Sequence, residues 1–193
     1  MRTSLFSSIL GLSIVAGTLA SATPAHAGIV WRNFKTRDLP GLYMTYGSQK
    51  GNTWTVEPLS PLNNQVITFS PGSDPGFSKL LITPSLPRLG GGVSGGNMTN
   101  GANVITWTSN NDKNQEWRAD YDFSLGDGSS CWSFYNFASP SNHVYVLSVA
   151  GANVTSGATL VISDYLADPT NHGEQFWCEY NKVGDALTPV PFP

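Results

Sequence analysis

Apolar residues along this chain come in short runs closed off by turn formers. Val144-Tyr145-Val146-Leu147-Ser148-Val149, Leu160-Val161-Ile162 and Val104-Ile105-Thr106-Trp107 are β-branched and aromatic, and Gly, Asn, Ser or Asp bounds each one. That is the pattern of strands between tight turns. No amphipathic stretch of ten or more residues carries a helical period. Gly90-Gly91-Gly92 and the Ser/Pro-rich segments predict loops. Residues 184–193 predict a surface tail whose Pro189, Pro191 and Pro193 would interrupt any strand ladder. At the other end, Arg2 precedes an apolar stretch from Leu5 to Ala20 and then the small-x-small signal Ala25-His26-Ala27. This predicts a cleaved secretory leader over 1–27. The apolar core is too short and too diluted with Ser, Thr and Gly for a membrane anchor.

Beyond the leader the pattern repeats. Gly51-Asn52-Thr53-Trp54, Gly101-Ala102-Asn103-Val104 and Gly157-Ala158-Thr159-Leu160 each place a large apolar residue three positions after a glycine. Each then reaches a glutamine, at Gln65, Gln115 and Gln175. The glycosylation sequons at Asn97 and Asn153 both begin four residues before their glycine. Asn33 in Trp31-Arg32-Asn33-Phe34 aligns with Asn136 in Phe134-Tyr135-Asn136-Phe137, leading to Thr45 and Ser148 respectively; Leu80-Leu81-Ile82 opens the middle unit. Three lobes, about 28–78, 79–130 and 131–183, follow from this alignment. Each is too short to bury an apolar face alone.

Composition narrows the function. The 193 residues hold 10 Lys+Arg against 13 Asp+Glu, and only 12% are charged, about half the ~25% usual for soluble domains. A charge-rich disordered chain is excluded, and so is a basic protein that binds nucleic acid by neutralising phosphates. No second apolar span follows the leader, so no membrane insertion is expected. Export makes Cys131 and Cys178 a disulfide by default, with two free buried thiols as the alternative. No ligand-spaced Cys/His cluster offers a zinc site, and no phosphate-cradling glycine loop is present, so no cofactor is expected.

The glutamines open the motif Gln115-Glu116-Trp117 and again Gln175-Phe176-Trp177, with Gln65-Val66-Ile67 a degenerate third. On these triplets the chain resembles the ricin B-chain type lectin domain over essentially everything after the leader. The resemblance implies an all-β fold, a single β-trefoil with three pseudo-repeats of about four strands, a six-stranded barrel and a hairpin cap. Ile67, Trp117 and Trp177 would meet near the pseudo-threefold axis. It also implies that Cys131, before the first strand of lobe three, lies beside Cys178, just after that lobe's closing triplet.

A carbohydrate-binding function is likewise what the resemblance implies, with one shallow pocket per lobe and glycans or polysaccharide as partners. An aromatic ring stacks on the sugar's C–H face while directed polar groups meet its hydroxyls. Lobe two matches best, with Trp107 as the stacking ring, Asn114 and Gln115 as polar contacts and Ser94 at the early position where galactose binders carry Asp. Lobe three offers Ser148 early, Asp164 or Tyr165 near the aromatic position and Glu174 in place of the Asn; lobe one offers Thr45, Glu57 and Asn64. Residue by residue, Trp107 also reads as a packed core ring, and Gln115 and Gln175 as backbone clamps. Asn110-Asn111-Asp112 reads as a hairpin turn, and Trp117 and Trp177 as core. Glu116, Asp120, Asp122 and Glu179 read as surface charges. His143 and His172 are the only histidines after the leader and no Gly-x-Ser-x-Gly elbow accompanies them, so no enzyme is expected. The competing reading is a trefoil silent toward sugars that acts on a protein target, for example as a protease inhibitor, through segments 70–77 and 84–96.

Overall fold

The computed structural model describes residues 33–37, 41–60, 64–82, 88–152, 154–168, 170–183 and 186–189. The predicted leader, residues 1–27, and Asn153 lie outside them. Four strands fall in each third of the chain. Lobe one holds β1 (Asn33–Thr36), β2 (Leu42–Thr45), β3 (Thr55–Pro58) and β4 (Ile67–Pro71). Lobe two holds β5 (Ser78–Ile82), β6 (Leu89–Val93), β7 (Val104–Thr108) and β8 (Glu116–Ser124). Lobe three holds β9 (Ser130–Asn136), β10 (Tyr145–Val149), β11 (Leu160–Asp164) and β12 (Trp177–Val183). The only helical turns among the described residues are 3-10, and none is long and apolar enough to cross a membrane.

The repeat glycines hold the three lobes together. Gly51, Gly101 and Gly157 have φ of 91°, 85° and 84°, a region in which a side chain is strained. Each amide donates to a backbone carbonyl of the next lobe: Gly51 to Thr106 at 2.7 Å, Gly101 to Ile162 at 2.8 Å and Gly157 to Val56 at 2.9 Å. The reverse bonds run from Thr106 to Asn52, Ile162 to Ala102 and Val56 to Ala158, at 2.8, 2.9 and 3.0 Å. Each hairpin is thus paired to its neighbour in a closed cycle, and the turn residue after each glycine bonds back three positions, to Gln49, Thr99 or Thr155.

Core volume is shared across this cycle. Ile67, Trp117 and Trp177 are fully buried in one cluster, together with Trp54, Val104 and Leu160 of the Gly-plus-three positions. Strand register makes Met44, Gly91 and Leu147 a further equivalent set, each one residue before the partner of the Gly-plus-four residue. Lobe one has lost the triplet tryptophan but carries Trp54 where its sisters have Val and Leu. The space for that ring comes from lobe two, where a Cβ on Gly91 would stand 2.6 Å from Trp54. Gly90 and Gly92 are equally enclosed, by the Leu80 carbonyl and the Gln115 side chain. The glycine run expected as a loop is therefore the middle of β6, bare because neighbouring groups occupy the side-chain space.

Other expectations are corrected. Register pairs Thr36 with Trp177, Ile82 with Ile67 and Asn136 with Trp117, so Thr36, not Asn33, corresponds to Asn136. The conserved feature of the opening strands is volume: Phe34, Leu80 and Phe134 line one core layer. The expected six-stranded barrel is not closed by hydrogen bonds. Ladders join β4–β5, β5–β8, β8–β9, β9–β12 and β12–β1, whereas β1 and β4 meet through the rings of Phe34 and Phe69, 5.9 Å apart and edge-on. Glu116 and Glu179 are buried rather than surface charges. Glu116 accepts hydrogen bonds from the Ser73 amide at 2.7 Å and hydroxyl at 3.0 Å, fixing the loop between β4 and β5. The predicted tail contains β13 (Ala186–Pro189), antiparallel to β12. Pro189 ends that edge strand, where a missing N–H is tolerated.

Cys131 and Cys178 are directly opposed in the β9–β12 ladder and form the disulfide. They pack with Tyr180, Phe123 and Leu125 in a second small cluster. Replacing both cysteines with alanine removes a loop constraint spanning 47 positions and should lower unfolding free energy by roughly 3–4 kcal/mol in urea melts. Gly91→Ala should cost about 1–3 kcal/mol by overpacking, with much of the loss recovered in thermal melts when Trp54→Leu is added.

Candidate functional site

Each closing glutamine clamps the turn after its lobe's third strand by the same two contacts. Gln65 Nε2 donates to the Pro58 carbonyl at 2.8 Å, Gln115 to Thr108 at 3.1 Å and Gln175 to Asp164 at 2.8 Å. Their Oε1 atoms accept from the Ser60, Asn110 and Leu166 amides at 2.8, 3.1 and 2.9 Å. These acceptors and donors lie seven and nine residues after the repeat glycines. Gln115 is buried, and its amide is spent on fixing the turn after β7.

Beside this clamp in lobe two lies a cleft of about 340 Å³, bordered by Trp107, Asp112, Asn114, Gln115, Ile105 and the backbone of β6 and its following turn. Trp107 is 39% exposed, so its ring is not a core ring. Lys50 Nζ stands over it, 4.0 Å from the centroid. The cause is the threefold cycle: the Gly51 amide bonds Thr106, which carries the preceding residue alongside Trp107. Asn114 donates from Nδ2 to the Val93 carbonyl at 2.8 Å, which ties the cleft's two sides together. Ser94 does not border the cleft. The residue equivalent to Thr45 and Ser148 is Gly92, since these three pair with Thr55, Val161 and Ile105 at the Gly-plus-four positions. Lobe two therefore has no side chain at the early position. Asp112 closes an Asx-type turn with Asn110 and still borders the cleft.

The equivalent cleft in lobe three has about 390 Å³ and is bordered by Ser148, Ser163, Asp164, Leu166, Glu174 and Gln175, with Asn100 from lobe two. Ser163, not Asp164 or Tyr165, holds the place of Trp107. Asp164 Oδ1 lies 2.9 Å from His143 Nδ1. Tyr165 packs away from the cleft on Tyr135, centroids 5.1 Å apart, and its hydroxyl donates to Asp122 at 3.4 Å. Burial holds the Asp122 carboxyl above the usual carboxylate range. In lobe one, Glu57 takes the Trp107 position and accepts from Ser156 at 2.6 Å.

One set of residues was not nominated from sequence. Lys50, Asn100 and Ser156 immediately precede the repeat glycines, and each reaches the following lobe: Lys50 at Trp107, Asn100 in the lobe-three cleft and Ser156 at Glu57. Their shared place before glycine was the available signal. Among the described residues no group of three or more His, Cys, Asp or Glu is arranged to hold a metal ion.

Residues 63–163 match the family model described as the ricin-type beta-trefoil lectin domain-like family. The curated proteins contain no match. Among solved structures, the designed threefold-symmetric protein ThreeFoil is similar at TM-score 0.63 and 21% identity, over 79% of this chain and 99% of that one. A Macrolepiota procera ricin B-like lectin in complex with lactose is similar at 0.56 and 17%, over 76% and 93%. A Polyporus squamosus lectin is similar at 0.61 and 13%, over 80% of this chain, which spans 49% of that lectin. The match takes in over half of the sequence and includes the complete lobe-two cleft, and on that ground the chain belongs to the ricin-type β-trefoil lectin-like family.

Proposed function

We propose that this is a secreted carbohydrate-binding protein that holds glycans non-covalently and performs no catalysis. The observation that carries this reading is the lobe-two cleft, where the half-exposed Trp107 ring borders a concave surface opposite bare glycine backbone. A pyranose has an apolar face and a rim of hydroxyls. The indole offers the apolar contact, and Asp112 and the Asn114 amide offer acceptors and donors at the rim. Gln115 contributes by holding the wall. Related lectins with bound lactose or sialylated epitopes support carbohydrate as the ligand class. The disulfide supports export to an oxidising compartment. Asn97 is exposed next to the cleft-lining Gly96 and would carry a glycan if the host glycosylates.

Binding by the early acidic residue of galactose-type sites is not available, because the equivalents are Thr45, Gly92 and Ser148. Selectivity would then come from Trp107, Asp112 and Asn114. The reading of a protein-directed trefoil has less support. Most of segment 84–96 that is described is strand β6, and the 70–77 loop is held by Glu116.

A glycan array followed by calorimetry tests the proposal. At least one neutral glycan should bind, and Trp107→Ala should weaken it by about tenfold or more, with unchanged thermal stability. A silent array combined with inhibition of a protease would contradict it.

A further inference from the structure

The two clefts are related by the pseudo-threefold axis, yet their chemistry is opposite. Where lobe two has Trp107, Thr108 and Asn114, lobe three has Ser163, Asp164 and Glu174. Among the described residues, no aromatic residue and no Lys or Arg borders the lobe-three cleft. Glu174 is only 7% exposed and borders the cleft from its wall. Its partner among the described residues is His172, whose Nδ1 lies 3.4 Å from Oε1. The position does not demand a carboxylate, since Asn64 and Asn114 occupy it in the sister lobes. Asp164 adds a second carboxylate at the rim, paired to the exposed His143.

We infer that the lobe-three cleft takes a sugar bearing a positively charged amino group. This rests on the carbohydrate reading above and specifies the ligand of one lobe. An ammonium supplies three donors and a full charge, enough to satisfy Glu174 and reach Asp164. Loss of the aromatic platform removes the stacking by which a neutral sugar would compete. Leu166 and Val161 remain as apolar contacts for the ring, and Asn100 and Ser148 face its hydroxyls. The protein is then a two-headed binder with a neutral-sugar site in lobe two and a cationic-sugar site in lobe three.

The test is calorimetry at pH 7.0 with glucosamine, N-acetylglucosamine and propylammonium as separate probes, on the full exported chain. Glucosamine should bind at least about tenfold more tightly than either of the other two. Glu174→Asn, which installs the residue of the sister lobes, should abolish that preference, and Asp164→Asn should reduce it. Neutral-glycan binding by the Glu174→Asn protein reports separately on lobe two. If that binding persists while glucosamine and N-acetylglucosamine bind alike, the amine preference alone is overturned. Preference that survives Glu174→Asn, or propylammonium binding as tightly as glucosamine, also overturns it. Absence of all sugar binding overturns both readings.

Discussion

The structure depends on one backbone constraint, the cycle of hydrogen bonds through which each lobe's glycine turn donates to the next lobe. Gly51 reaches Thr106, Gly101 reaches Ile162 and Gly157 reaches Val56. A cycle of this kind has no free end, so no lobe can shift register without breaking bonds to both others. It also explains why the glycines recur: the turn needs positive φ, and a Cβ at these positions meets nothing within 4 Å. Backbone conformation, not crowding, selects the residue.

The same cycle makes the pockets composite. Whatever residue stands before each glycine is delivered to the following lobe, as Lys50 is to Trp107 and Asn100 to the lobe-three cleft. A symmetric scaffold therefore presents similar concavities in lobes two and three whose chemistry is free to differ. The core tolerates asymmetry in the same way, by moving volume between lobes. Trp54 occupies space that Gly91 leaves open, and Ile67 is small where Trp117 and Trp177 are large. Close packing requires only that the total be filled.

Much of this was legible in the sequence because the demands fall on single residues. Positive φ calls for glycine. A side chain that must both donate to one backbone group and accept from another calls for glutamine, and both recur at readable intervals. What stayed hidden depended on tertiary neighbours. Gly90-Gly91-Gly92 has a loop's composition, and only the Leu80 carbonyl, Trp54 and Gln115 explain it as strand. Glu116 looks like a surface charge until Ser73 is seen folded against it. Asn33 and Asn136 align by residue type alone, whereas the physical requirement on the opening strands is the layer of Phe34, Leu80 and Phe134. Ser94 lies two residues from the true early position for a related reason: the connection between a lobe's first two strands varies in length, whereas Gly92 stands as far before Gly101 as Ser148 does before Gly157. Glu174 is legible as a substitution, but its burial in the cleft wall is not.

Amide hydrogen exchange measured by NMR tests the central constraint most directly. The amides of Gly51, Gly101, Gly157, Val56, Thr106 and Ile162 should exchange only through global unfolding, with one common opening free energy equal to that of the whole domain. Exchange of any lobe's pair through a separate, lower-energy opening would contradict a closed cycle and leave the lobes as independent units.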